Sequence, residues 1–262
     1  MQAFLTNGQI LHVEDRGVGE GRAIVFSNSL GTDFRVWDPL MPHLPSNRRT
    51  IRYDKRGHGL SSCPDGPYSI DDHAADLAGL LDQLGVTGAV IVGLSVGGLI
   101  AQSLAASRSD LVSALILCST GHVIGSPEIW EARIEAIEQG GIAGLSEAIL
   151  ERWFSADFHR DRGDELALWR AMLTRTPVRG YLGTCQAIQA ADLTESMKKL
   201  NLPAICIGGG EDVSTPPSLM RSTADLLRCD FIEIDGVGHL PPVECPEKLG
   251  GVIKEFFRHH EA

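Results

Sequence analysis

Hydrophobic and polar positions along the chain fall into two alternating rhythms. Short apolar runs rich in β-branched residues read as buried strands at Ala23-Ile24-Val25-Phe26, Arg49-Thr50-Ile51-Arg52-Tyr53, Ala89-Val90-Ile91-Val92, Ala114–Cys118, Pro203–Ile207 and Phe231–Ile234. Between them, Ile70, Ala74, Leu77, Leu81 and Leu84 recur at helical spacing. That helix opens at Ser69-x-x-Asp72, a capping box with Asp in place of Glu, and Gly85 stops it. Further helices are predicted over Leu99–Ala106 and Pro217–Leu227, with room for a short one from Val36 to Leu44. A last helix has Pro246 near its first turn and an apolar face of Leu249, Val252, Ile253, Phe256 and Phe257. Asn7-Gly8 is a strong turn signal, so Gln9–Glu14 reads as a hairpin strand. Strands alternating with helices predict a mainly parallel sheet covered on both faces.

That rhythm breaks after Gly121. From Pro127 to about Leu193 no strand pattern occurs, and helices are predicted over Pro127–Gln139, Leu145–Phe154, Glu165–Leu173 and Pro177–Ala190. Three of the four tryptophans, Trp130, Trp153 and Trp169, fall there. The expected organisation is a split α/β core, residues 1–123 and 194–262, with a helical cap at 124–193 over the carboxyl ends of the strands. Each tryptophan could equally serve only to hold the cap together.

Composition narrows the function. With 262 residues and 43% hydrophobic content, the chain can bury one large core. A formal net charge of −11 argues against a nucleic-acid partner, which needs a basic face. No apolar run is long enough to span a bilayer. Met1-Gln2-Ala3-Phe4 lacks the basic-then-apolar pattern of a signal peptide, so the expected compartment is the cytoplasm, without membrane attachment. The six cysteines contain no C-x-x-C pair, and neither disulfides nor zinc are expected. Cys118 and Cys206 sit in strand-like runs, where a thiol acts as a small hydrophobe.

Chemistry concentrates where the Ala89–Val92 strand meets the next helix, at Gly93-x-Ser95-x-Gly97. A serine on such a turn holds its hydroxyl clear of the sheet, at the positive end of a helix. It needs a base to remove its proton, and that base needs an acid to fix its tautomer. Asp212 and His239 follow the next two core strands, where loops at the carboxyl ends of a parallel sheet converge. Ser95, His239 and Asp212 are therefore the expected nucleophile, base and orienting acid. Glu211 competes with Asp212 but should point away, and Asp235 is expected to serve the turn into Gly236. The tetrahedral oxyanion needs preorganised donors. The candidates are the backbone N–H of Val96 and, from the loop Ser27-Asn28-Ser29-Leu30-Gly31-Thr32, that of Leu30. His58 is expected to be a structural hydrogen-bonding residue, and His122 could approach the pocket. His12, His43, His73, His159, His259 and His260 read as surface residues. No metal-binding spacing is present, and the chemistry is expected to need no cofactor.

The elbow at Ser95, the order Ser95…Asp212…His239 and the stretch Tyr53-Asp54-Lys55-Arg56-Gly57-His58-Gly59-Leu60-Ser61 together resemble the α/β-hydrolase superfamily over essentially the whole chain. Most members carry His-Gly where this chain has Asn28-Ser29. Ser27–Thr32, Tyr53–Gly59 and Gly180-Tyr181-x-Gly183-x-Cys185 resemble, more narrowly, bacterial 3-oxoadipate enol-lactonases. The resemblance implies the α/β-hydrolase fold and hydrolysis of a small anionic enol lactone to 3-oxoadipate through an acyl-enzyme, in aromatic degradation by the β-ketoadipate pathway. The substrate carboxylate would need a cation, sought among Arg35, Arg133, Arg175 and Arg179. Other readings of the same scaffold are a small-ester or arylesterase-like hydrolase, a C–C bond hydrolase of ring-cleavage products, and a hydrolase-like ligand receptor.

Overall fold

Eight strands form one sheet in the order β1-β2-β4-β3-β5-β6-β7-β8 in a computed structural model that describes residues 2–17, 19 and 21–260. The strands are β1 Gln2–Thr6, β2 Gln9–Arg16, β3 Ile24–Ser27, β4 Thr50–Tyr53, β5 Ala89–Leu94, β6 Val112–Cys118, β7 Ala204–Gly209 and β8 Asp230–Ile234. β2 runs antiparallel to both β1 and β4, and every later pairing is parallel. The strands with continuous apolar runs take the middle of the sheet. Every residue of β5 is buried, and Val92 sits between Phe26 of β3 and Ile116 of β6.

The helices are α1 Ile70–Gln83, α2 Val96–Ser107, α3 Pro127–Trp153, α4 Ala156–Asp161, α5 Gly163–Thr174, α6 Val178–Gln189, α7 Thr194–Met197, α8 Pro217–Leu227, α9 Pro241–Glu244 and α10 Pro246–His260. The capping box of α1 forms as its sequence predicts: Asp72 N–H donates to Ser69 Oγ at 3.0 Å, and Ser69 N–H donates to Asp72 Oδ2 at 2.8 Å. Among the described residues no helix is long and apolar enough to cross a membrane.

Three local features differ from the expectation. Val36–Leu44 holds two short 3-10 turns, Phe34–Trp37 and Met41–His43, instead of a helix. Pro39 and Pro42 lack the amide protons that a continuous helix there would use. The turn at Asn7-Gly8, with φ of 47° and 73°, joins β2 to β1, a preceding strand too exposed to show an apolar alternation. In the 124–193 stretch the first two predicted helices form as expected, as the two parts of α3 on either side of a break at Gly141 with φ 67° and ψ 175°. Helix α4, which sequence reading missed, is too short to carry a readable period.

Contacts between backbones hold α6 against the loop after β4. A Cβ on Gly180 would lie 2.1 Å from the Gly57 carbonyl oxygen, and one on Gly57 would lie 2.5 Å from the Gly180 Cα. Only two glycines allow that approach. Gly180→Ala is therefore expected to lower stability by about 3 kcal/mol. Gly144→Ala, in the second half of α3 with nothing within 4 Å of its Cβ position, should raise it by about 0.5 kcal/mol. Urea unfolding followed by circular dichroism checks both, and equal effects would contradict the close packing.

Candidate active site

The sharp turn between β5 and α2 places Ser95 at φ 57° and ψ −120°, a conformation that an L residue adopts only when its surroundings enforce it. The surroundings do so through missing side chains. A Cβ on Gly93 would meet the Gly97 carbonyl oxygen at 2.5 Å, and one on Gly97 would meet the Ser27 carbonyl oxygen at 1.9 Å. Hydrogen bonds complete the clamp: Ser95 N–H donates to the Cys118 carbonyl at 3.0 Å, and Thr120 Oγ donates to the Ser95 carbonyl at 2.6 Å. Thr120 carried no sequence signal, because its part depends on β6 lying beside β5.

Asp212 and His239 come from the loops after β7 and β8 and meet beside this turn. His239 Nδ1 lies 2.8 Å from Asp212 Oδ2. Asp212 also accepts from Ser214 N–H at 2.7 Å, Thr215 N–H at 3.0 Å and Thr215 Oγ at 2.7 Å. Burial alone would push its carboxyl up, but the charge and hydrogen bond of His239 and the donors of Thr215 outweigh it and hold Asp212 below the ordinary carboxylate value. Glu211 and Asp235, the competing carboxylates, are exposed. The backbone N–H of His239 donates to the Trp153 carbonyl at 2.8 Å, tying this loop to the end of α3. Glu244 braces the same junction: its carboxylate accepts from Gly238 N–H at 2.9 Å and from Ser155 Oγ at 2.5 Å.

The loop after β3 faces the start of α2. Gly31 N–H donates to His58 Nε2 at 3.0 Å, so His58 is the buried structural partner its motif suggested. Leu30 lines the same cavity as Ser95, and Val96 begins α2 directly behind the serine. The loop after β4 supports this arrangement through buried Asp54, whose carboxylate accepts from Phe34 N–H at 2.8 Å and Leu60 N–H at 2.9 Å and pairs with His12 Nδ1 at 2.8 Å.

Ser95 and His239 open into a cavity of about 230 Å³, walled also by Leu30, Ile124, Trp130, Trp153 and Tyr181. Of the four arginines considered as anion partners, only Arg133 lines it. Arg35 is paired with Asp33 at 2.6 Å, and exposed Arg179 with Asp65. Arg175 borders a different cavity, of about 390 Å³, that contains none of Ser95, Asp212 and His239. A second arginine in the Ser95 cavity, Arg152, was missed. Its Nη2 reaches the Val213 carbonyl at 3.2 Å, its buried Nε has no partner, and among the described residues neither it nor Arg133 forms an ion pair. Burial lowers the Arg152 pKa from its ordinary value, and neighbouring Arg133 pushes in the same direction.

Two histidines depart from the surface reading. His73 is buried, with Nε2 3.5 Å from Thr184 Oγ, and His12 is largely covered through its pairing with Asp54. His122 bonds Thr223 Oγ at 3.1 Å and is not among the residues lining the Ser95 cavity.

A sheet of this topology, with a serine at a glycine-clamped elbow after β5 and an Asp–His pair after β7 and β8, defines a hydrolase of the α/β type. The family model described as the Alpha/beta hydrolase family matches residues 24–250, and the chain belongs to that family. It is 32% identical over 258 residues to 3-oxoadipate enol-lactonase 1 of Acinetobacter baylyi, covering 97% of this chain and 96% of that one. It is 34% identical over 256 residues to the 2-(acetamidomethylene)succinate hydrolase of Mesorhizobium japonicum, covering 92% of this chain and 90% of that one. The crystal structure of the enol-lactonase from Burkholderia xenovorans LB400 superposes with a TM-score of 0.94 at 35% identity, covering 98% of this chain and all (100%) of that one.

Burial of His58 and His73 sets an acid limit on the fold. Burial, and then the nearby positive charge of Lys55, hold both imidazoles well below their ordinary value of 6.5. Below about pH 6.5 the unfolded chain takes up protons that the folded chain refuses, so stability is complete above that pH and is lost as pH falls through it. Urea midpoints measured from pH 7.5 to 5 should therefore decline, and His73→Gln should flatten the decline. An unchanged slope in that variant would remove His73 from the explanation.

Proposed function

We propose that this protein is a serine hydrolase whose substrate is 3-oxoadipate enol-lactone. The observation that carries the substrate assignment is the pair Arg133 and Arg152, two guanidinium groups with no carboxylate partner among the described residues, in a small cavity beside Ser95. A guanidinium matches a carboxylate in shape and charge, and two of them in an apolar-walled site favour a compact anion over a neutral ester. The likeness to proteins named enol-lactonases in Acinetobacter and Burkholderia supports the same reading.

Asp212 holds Nδ1 of His239, which leaves Nε2 to accept the Ser95 proton as Oγ attacks the lactone carbonyl. The N–H groups of Leu30 and Val96 receive the developing oxyanion. Collapse of the tetrahedral intermediate breaks the ring C–O bond and expels an enolate, a better leaving group than an alkoxide, which takes up the proton held by His239 and becomes a ketone, leaving the imidazole neutral. Water deprotonated by His239 then cleaves the acyl-enzyme and releases 3-oxoadipate. Because the leaving group remains tethered to the acyl chain, a compact cavity that turns the new ketone away from the ester carbon prevents reclosure.

Loss of enol-lactone ultraviolet absorbance, with a neutral aryl acetate in parallel, tests the assignment. Rapid lactone hydrolysis is expected; aryl-acetate turnover with the lactone decaying only at its spontaneous rate would refute it. Ser95→Ala should lower kcat by about 10⁴-fold or more. Arg133→Leu and Arg152→Leu should each raise KM for the lactone by about tenfold or more, the scale of a hydrogen bond to a charged group. Their KM for the aryl acetate should change little.

A further inference from the structure

Lys55 is one of the largest fully buried side chains in the protein, at 1% exposure, and it takes no part in the hydrolytic steps above. Its Nζ donates to the carbonyl oxygen of Ser29 at 2.6 Å. Among the described residues it forms no ion pair: the Asp54 carboxylate is taken by His12, Phe34 and Leu60, and that of Asp33 by Arg35. Burying an ammonium against one neutral carbonyl is unfavourable, and an apolar side chain of similar length would fill the space at less cost. Burial draws the Lys55 ammonium down to about 7 despite the opposing charges of Asp54 and Asp33. The stability of the fold therefore does not account for a lysine here.

The carbonyl it meets does. Ser29 C=O and Leu30 N–H are the two ends of one peptide group. A cation bonded to the oxygen draws electron density from the nitrogen and makes the N–H a stronger donor, as in any hydrogen-bond chain. The same oxygen accepts from Thr32 Oγ at 3.0 Å and from Thr32 N–H at 3.4 Å, while the next amide, Gly31 N–H, is fixed on His58 Nε2 at 3.0 Å. Both sides of the Leu30 amide are thus anchored, and Leu30 itself lines the Ser95 cavity.

We infer that Lys55 is a positioning residue that orients and polarises the Ser29–Leu30 peptide, so that the Leu30 N–H stabilises the oxyanion formed at Ser95. This rests on the reading of Ser95 as nucleophile and Leu30 as donor, but not on which ester or lactone is the substrate.

The test uses an aryl acetate and a phenylboronic acid, whose tetrahedral adduct with a serine places a B–O group where the oxyanion forms. Lys55→Met keeps the length of the side chain and removes the donor. Because deleting a whole oxyanion donor costs about 10² to 10³ in kcat, weakening one should cost about 10- to 100-fold. KM should stay within about threefold, and boronate affinity should fall in parallel with kcat, because the ground state makes less use of the donor than the tetrahedral state. Lys55→Gln, which restores a neutral N–H donor, should recover part of both losses. A folded Lys55→Met protein with kcat and boronate affinity close to the parent would overturn the inference. If Lys55→Met does not fold, Thr32→Val, which deletes the second donor to the same carbonyl, decides: a smaller parallel loss is expected, and no loss overturns it. Absence of Ser95-dependent turnover and boronate binding in the parent protein would instead remove the reading on which the inference stands.

Discussion

The approach of Gly97 to the Ser27 carbonyl is the contact on which the site depends. With 1.9 Å between that oxygen and the place where a Cβ would stand, the first turn of α2 lies against the end of β3 with only hydrogen between them. This closeness keeps Ser95 in its strained conformation and carries the start of α2 to the loop holding Leu30. A helix starting even one methyl group farther away would separate the Val96 and Leu30 amides. The strain is borne by the best-buried part of the molecule, since β5 and its neighbours β3 and β6 form the middle of the sheet.

Around that contact the loops act as successive supports. Asp54, at the end of β4, gathers amides from two turns and an imidazole from β2, fixing the loop that contains Lys55 and His58. Those two residues in turn hold the carbonyl of Ser29 and the amide of Gly31. On the far side, Glu244 and the Trp153 carbonyl hold Gly238 and His239. The loop of His239 and the loop of Leu30 are both anchored through backbone groups, which have few internal freedoms and transmit position well.

Much of this was legible in the chain because it is written over short distances. The elbow is a five-residue pattern, and Asp212 and His239 each follow an apolar run that declares its own strand. What stayed hidden depended on long-range pairing. Arg35 and Arg179 look like free cations in sequence but lie beside Asp33 and Asp65. Arg152 carries no sequence signal of its own, and only the packing of α3 brings it to the cavity. His73 reads as solvated for the same reason: a polar letter gives no sign that the surrounding chain has closed over it. The short 3-10 turns and α4 fell below the length at which a period can be read.

The interruption of α3 at Gly141 divides the wall of the cavity into two parts with different mechanical ties. Ile129, Trp130 and Arg133 stand before it, and Arg152 and Trp153 after it. The second part is joined to His239, because the Trp153 carbonyl holds the His239 amide. Among the described residues the first part has no such link to His239, and a Cβ on Gly141 would have nothing within 4 Å. Of the two parts of this wall, it is therefore the one carrying Trp153 that shares its position with the loop of His239.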